Sequence, residues 1–188
     1  MAQAPTLDIA QAADCLRAGG VIAYPTEAVF GLGCDPGNEA AVRKILAMKS
    51  RSQSAGLILL ADSFDRLAKY SGDISPELMA RAEATWPGPV TWLFPRRPGI
   101  PDWLAGSHPT VALRVTSHPV CRALCRAFGG ALVSTSANPS TRPPARTAGQ
   151  VSAWFGGSIE GIVAGELGGE QNPSEIRELL SGAVIRPA

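Results

Sequence analysis

Lys49 and Arg51 flank a single serine in Met48-Lys49-Ser50-Arg51-Ser52-Gln53-Ser54, and the pair stands out in a chain with three lysines against fourteen arginines. A guanidinium offers a bidentate fork and an ammonium a point charge, so together they suit the oxygens of a polyphosphate. Cations at a helix end also complement its partial negative charge, and these residues alone leave both readings open. A second candidate follows the apolar run Ala131-Leu132-Val133, where the chain reads Ser134-Thr135-Ser136-Ala137-Asn138. A plain turn uses Gly, Asn-Gly or Asp-Gly; hydroxyls and an amide this close together either cap a helix or hold a ligand. Arg114 is the third, inside the otherwise apolar Thr110–Val115, where a guanidinium must reach solvent or pair with an anion. No acid near it in sequence is an evident partner, which points to a ligand carboxylate. The fourth is Tyr24-Pro25-Thr26-Glu27-Ala28-Val29-Phe30-Gly31-Leu32-Gly33, where a strand halts at proline and a hydroxyl and a carboxylate follow. Thr26 there is a turn or cap residue on one reading and a site residue on the other. Trp86-Pro87-Gly88-Pro89-Val90-Thr91 reads as a rigid turn feeding a strand.

Apolar periodicity and cap residues supply the elements that must position these groups. Helices are expected over Asp8–Arg17, from an Asn38 cap to Met48, after Asp62, from Ser75-Pro76-Glu77, over Pro119–Phe128, and from a Thr147 cap to Phe155. Strands are expected over Val21–Tyr24, Leu57–Leu60, Pro89–Phe94, Thr110–Val115, Ala131 into the Ser134–Asn138 segment, Ile159–Ala164 and Ala183–Ile185. Ser174–Leu180 fits helix or strand equally. The alternation predicts one α/β domain, residues 1–188, with a mixed sheet and its site at loops on the strand ends.

Bulk properties narrow the class. A length of 188 residues, 45% hydrophobic and 18% charged, is that of an ordinary globular domain that needs no staples. No apolar run approaches the ~20 residues of a bilayer span, and no secretory leader is visible, so a cytoplasmic protein without a membrane is expected. Cys15, Cys34, Cys121 and Cys125 form no CxxC pair and no zinc pattern with His118. Between Trp86 and Arg146 stand seven arginines and one acid, Asp102, in a chain of net charge +1, which suggests an anion-binding face. Neither standard phosphate loop is present, nor HExxH, nor GxSxG.

Taken together, YPTEAVFGLG, KSR, TWPGPVTWLFP, VALRVT, STSANPS and NPSEIR resemble the YrdC-like family, in its stand-alone bacterial branch. The resemblance spans nearly the whole chain in order. It implies a twisted mixed sheet surrounded by helices, with a concave basic cavity. The implied activity converts L-threonine, bicarbonate or CO2, and ATP into threonylcarbamoyl-adenylate and pyrophosphate, a nucleotidyl transfer accompanied by Mg2+. A partner complex then transfers the threonylcarbamoyl group to tRNA. The family's KxR…SxN set falls on Lys49, Arg51, Ser136 and Asn138. Its threonine contacts fall on Thr26 and Arg114, with Lys49 beside them, and its nucleotide contacts on Arg51, Thr110, Ser134, Ser136 and Arg186. Two segments depart from the pattern: Ser140-Thr141, where relatives often carry Ser-Gly, and Ser52–Gly56, which lacks a nucleotide-contacting Asn of many relatives. The rival reading is an RNA-binding or ribosome-maturation module using the same basic cavity, with tRNA or other RNA as partner. Against it, the basic stretch lacks aromatics at the spacing of a base-stacking platform.

Overall fold

A computed structural model describes residues 3–188, and its ten strands join in one mixed sheet. Across the sheet run β1 (Thr6–Leu7), β8 (Gly161–Val163), β2 (Ile22–Pro25), β3 (Phe30–Gly33), β7 (Leu132–Ser136), β4 (Ile58–Ala61), β6 (Thr110–Val115), β5 (Val90–Pro95), β9 (Glu175–Glu178) and β10 (Val184–Arg186). The pairs β1/β8, β2/β8, β4/β6 and β5/β9 are parallel; β2/β3, β3/β7, β4/β7, β5/β6 and β9/β10 are antiparallel.

Helices α1 (Ile9–Arg17), α2 (Glu39–Met48), α3 (Pro76–Glu83), α4 (Asp102–Ala105), α5 (Pro119–Phe128) and α6 (Ala148–Phe155) surround the sheet. Local chemistry explains their limits. Asp8 and Thr147 close capping boxes with Gln11 and Gln150, Asn38 and Ser75 accept from backbone N–H groups in the first turns, and Gly129 ends α5 at φ 91. α1 and α5 pack together over one face, burying Leu16, Cys121, Leu124 and Cys125 against Ile22, Tyr24, Leu60 and Leu132. The larger core lies on the other face, with Val42, Ile45, Leu59, Trp92, Phe94 and Leu113 at its centre. The free cysteines serve this packing.

The predicted helices and strands form, except after Asp62, and β1, β3 and α4 are additions to them. No α-helix follows Asp62; two short 3-10 turns, Phe64–Arg66 and Ala68–Tyr70, take its place, because the Asp62 carboxylate binds Arg66 and Arg126 instead of capping. β3 was not foreseen: Phe30–Gly33 is a hairpin partner of β2 rather than a turn. Ser174–Leu180 resolves as strand β9, held parallel to β5. Among the described residues no helix is long and apolar enough to cross a membrane.

Candidate active site

A cavity of about 390 Å³ opens where β4, β5, β6, β7, β9 and β10 present their side chains beside Gly31 of β3, a size suited to a small-molecule ligand. Thr26, Arg51, Thr110, Arg114, Ser134, Ser136 and Arg186 all line it. Its apolar wall includes Leu93, Ile176 and Ile185. β7 runs through the hydroxyl segment, so alternation along the strand puts Ser134 and Ser136 on one face. Ala137 continues the pairing, donating its N–H to the Phe30 carbonyl at 2.8 Å.

Three guanidiniums converge here from distant parts of the chain: Arg51 after α2, Arg114 on β6 and Arg186 on β10. Although the residue is exposed at the sheet margin, partial desolvation where its side chain enters the cavity lowers the Arg186 pKa, and the charges of Arg51 and Arg114 lower it further. Arg51 is folded back on its own loop, donating to the Gly56 carbonyl at 2.9 Å, while its Nε is buried without a partner. Arg186 donates to the Ser174 carbonyl at 2.6 Å.

The turn between Lys49 and Arg51 sends the two cations in different directions. Ser50 adopts φ 50, a left-handed conformation that costs a non-glycine residue roughly 1–2 kcal/mol. Ser140 offsets this strain, its hydroxyl donating to the Lys49 carbonyl. Arg51 thereby reaches the cavity, whereas Lys49 turns back and is 3% exposed. Its ammonium donates to the Ser136 carbonyl at 2.5 Å, the Asn138 carbonyl at 2.9 Å and the Asn138 amide oxygen at 3.0 Å. All three of its protons are thus committed to the STSAN segment. Burial, with the Arg51 charge adding to it, pushes the Lys49 ammonium down to about 8. Asn138 is likewise turned inward: its amide oxygen accepts from the Ser136 hydroxyl at 2.6 Å and its nitrogen donates to the Arg142 carbonyl at 2.6 Å. The expected four-residue set therefore divides into Arg51 and Ser136 on the cavity wall and Lys49 and Asn138 behind it.

The Thr26 hydroxyl donates to the Val29 carbonyl at 2.7 Å, so Thr26 is both turn former and cavity residue. With its proton committed, its oxygen faces a ligand as an acceptor only. Arg114 does have an acidic partner, contrary to the sequence expectation: the Glu27 carboxylate lies 3.5 Å from its Nη2. The two residues are 87 positions apart, which is why no neighbouring acid was visible. Glu27 is the site residue that sequence reasoning passed over; its signal was a carboxylate beside Thr26 in a stretch buried from Gly20 to Cys34. Its Oε1 accepts from the Thr116 hydroxyl at 2.6 Å and from Ser117 N–H at 3.3 Å. Burial pushes the Glu27 carboxyl up, but the Arg114 charge and the Thr116 and backbone hydrogen bonds outweigh it, and the group sits below its usual range. His118 stands behind this pair with Nε2 3.0 Å from the Glu166 carbonyl; burial holds its imidazole below its usual value.

A strap formed by residues 165–174 crosses the Thr26-Glu27 turn. Gly168 N–H donates to the Thr26 carbonyl at 3.0 Å and Glu170 N–H to the Glu27 carbonyl at 2.9 Å. The strap then brings Asn172, Pro173 and Ser174 to the cavity wall.

The arginine-rich middle third does not form one anion-binding face. Of its seven arginines only Arg114 lines the main cavity. Arg96 pairs with Asp102, Arg126 with Asp62, Arg122 donates to the Asp62 and Thr116 carbonyls, and Arg142 stacks on Trp154. Arg96 and Arg97 also border a shallow groove that meets the cavity at His108. Linear charge counting failed because the compensating acids and carbonyls arrive from elsewhere in the chain.

The family model for Sua5, YciO and YrdC proteins, described as "Telomere recombination", matches residues 14–188. The chain belongs to this family. Among Sua5/YciO/YrdC relatives, a threonylcarbamoyl-AMP synthase of Pseudomonas putida KT2440 is 51% identical over 95% of this chain and 96% of its own length. The synthase of the same name from Pseudomonas savastanoi pv. phaseolicola is 52% identical over 95% of this chain and 96% of its own. Among solved structures, P. abyssi Sua5 complexed with L-threonine superimposes with a TM-score of 0.89 at 30% identity, covering all of this chain. This chain spans 57% of that longer protein. E. coli YciO gives 0.82 at 25% identity, covering 99% of this chain and 95% of its own.

Proposed function

We propose that the chain is a threonylcarbamoyl-AMP synthase, forming threonylcarbamoyl-adenylate and pyrophosphate from L-threonine, bicarbonate or CO2, and ATP. The observation that carries this reading is the convergence of Arg51, Arg114 and Arg186 on one hydroxyl-rimmed cavity, in a chain 51% identical to such synthases over nearly its full length. Arg114 receives the threonine carboxylate, and the acceptor oxygen of Thr26 receives the amino group. The neutral threonine amine adds to CO2 and releases a proton to solvent, and an oxygen of the resulting carbamate attacks the α-phosphorus of ATP, breaking its bond to the bridging oxygen as pyrophosphate leaves. The protein supplies charge and alignment for such a transfer rather than covalent chemistry. Arg51 leaves its own loop carbonyls for the phosphates, Arg186 holds the nucleotide end, and Thr110 and Ser134 donate to oxygens without adding negative charge, joined by Ser136 when its hydroxyl exchanges the Asn138 amide oxygen for the ligand. Lys49 and Asn138 act from behind the wall, fixing the position of Ser136.

Mg2+ enters this scheme with ATP. Among the described residues Glu27 is the one carboxylate on the wall and is engaged by Thr116 and Arg114, so the ion would be held by phosphate oxygens, hydroxyls and water rather than by a protein cage. The adenylate is labile and serves a complex that modifies tRNA at N6-threonylcarbamoyladenosine, which fits a cytoplasmic protein. The RNA-binding alternative has less support, since among the described residues no Phe, Tyr or Trp lines the cavity to stack a base. The test is incubation with L-threonine, bicarbonate and α-labelled ATP, followed by detection of the adenylate and pyrophosphate. Omission of threonine abolishes both products; threonine-independent pyrophosphate, or salt-dependent RNA binding without this reaction, overturns the proposal.

A further inference from the structure

Arg114 is 6% exposed, yet none of its nitrogens makes a hydrogen bond to the protein among the described residues, and its Nε is buried without a partner. A guanidinium so enclosed normally finds several acceptors. Its only compensation is the Glu27 charge, 3.5 Å from Nη2 and itself 5% exposed. The facing Glu27 oxygen, Oε2, is also buried without a hydrogen-bond partner. Glu27 is nevertheless firmly held: Thr116 and Ser117 grip its Oε1, its carbonyl accepts from Glu170, and the space beside its Cα is filled by Gly168. A Cβ at Gly168 would lie 2.9 Å from the Glu27 Cα. One partner is fixed and the other is held by charge alone, with its donors unused.

We infer that Glu27 is a positioning residue for amino-acid recognition: it neutralises and orients Arg114 while leaving the guanidinium donors available to a substrate carboxylate. Thr116 is the second tier, its hydroxyl fixing the carboxylate that fixes the arginine. A glutamate that hydrogen-bonded Arg114 in a bidentate fork would occupy the donors the substrate needs. With no glutamate, the buried cation would turn to the triphosphate instead. The loose ion pair avoids both.

This inference rests on the proposed threonine-dependent reaction, and its test separates the two. L-threonine binding is measured by calorimetry without ATP, and steady-state kinetics with all substrates, for the unaltered chain and for Glu27→Gln, Thr116→Val and Thr116→Ser. Glu27→Gln keeps the shape and the Oε1 acceptor but removes the charge. The expected result is a threonine KM at least tenfold higher, with kcat and the ATP KM changed less than threefold. Thr116→Val shifts threonine KM in the same direction by a smaller factor, and Thr116→Ser restores it. A merely structural role would move both substrates' KM and the melting temperature together, and that result overturns the inference. Equal threonine binding by the unaltered chain and Glu27→Gln, or tighter binding by the variant, also overturns it while leaving the proposed function standing. Absence of threonine binding by the unaltered chain removes the proposed function and this inference with it.

Discussion

Replacing Lys49 by Met tests whether a cation placed behind the cavity wall governs the chemistry in front of it. The substitution roughly conserves volume and removes the charge and all three donated hydrogen bonds to the Ser136–Asn138 segment. Ser136 O retains Asn138 N–H and the Asn138 amide oxygen retains the Ser136 hydroxyl, but the Asn138 carbonyl loses its partner. Freeing that rim should cost adenylate synthesis about 100-fold, the scale of a 1 Å misplacement of a catalytic donor. Stability carries a separate signature. The folded chain releases the Lys49 proton near 8, whereas the unfolded chain keeps it up to the ordinary 10.5. Between those values the unfolded state binds more protons, so stability rises with pH there. At 1.36 kcal/mol per pH unit, the Lys49 contribution grows by about 1.4 kcal/mol between pH 7 and pH 9. Activity runs the opposite way, because the neutral amine loses a donor and its charge. Buried groups such as Cys125 and Tyr70, both pushed up to about 12, oppose the stability trend above pH 9, but they are common to both proteins and cancel in the difference. The assay is urea unfolding of both proteins from pH 7 to 9, beside pyrophosphate release. A stability difference that stays flat over that range refutes the argument that burial holds the ammonium down.

Three further outcomes are expected. Arg51→Ala should remain folded and lose about two orders of magnitude in adenylate synthesis, since one preorganised donor is worth ~3 kcal/mol at the transition state; near-normal product formation would remove Arg51 from the phosphate end. Gly106→Ala should destabilise the chain by more than 1 kcal/mol in denaturant unfolding, because Gly106 sits at φ 66 and a Cβ there would lie 2.3 Å from the Ser54 carbonyl. Proteolysis within the Ser50–Gly56 loop should slow when ATP and threonine are both bound, as Arg51 exchanges the Gly56 carbonyl for phosphate and the loop closes; cleavage at the same rate with and without substrates would count against closure.

Local signals in the sequence were sufficient for most elements and insufficient for the contacts that define the site. Asn38, Ser75 and Thr147 announced their helices because a cap acts within three residues. The runs Ile58–Ala61 and Thr110–Val115 were readable because strands buried on both faces are continuously apolar. Phe30–Gly33 was not, since its glycines mimic a turn. They answer to neighbours far along the chain: a Cβ at Gly33 would lie 2.6 Å from both the Tyr24 ring and the Val133 carbonyl. Thr6–Leu7 is too short for periodicity and exists through pairing with Ile162–Val163. Arg51, Arg114 and the STSAN hydroxyls could be singled out as residues out of keeping with their surroundings. That Lys49 and Asn138 face inward, and that Arg114 answers to Glu27, depends on approaches across 87 to 89 positions that no local pattern encodes.

Arg186 occupies an unusual station for a cavity residue. It closes β10, which lies at one margin of the sheet and pairs only with β9, through a register that shifts between Val184 and Arg186. The same hairpin displays the exposed Leu180, Val184 and Ile185. Peeling such a margin away exposes little new apolar surface and breaks few ladder bonds, so it opens at a lower free energy than the body of the sheet. The arginine leaves the cavity with it. If Arg186 holds the nucleotide end as proposed, nucleotide affinity should fade on warming while the sheet behind Arg114 is still intact.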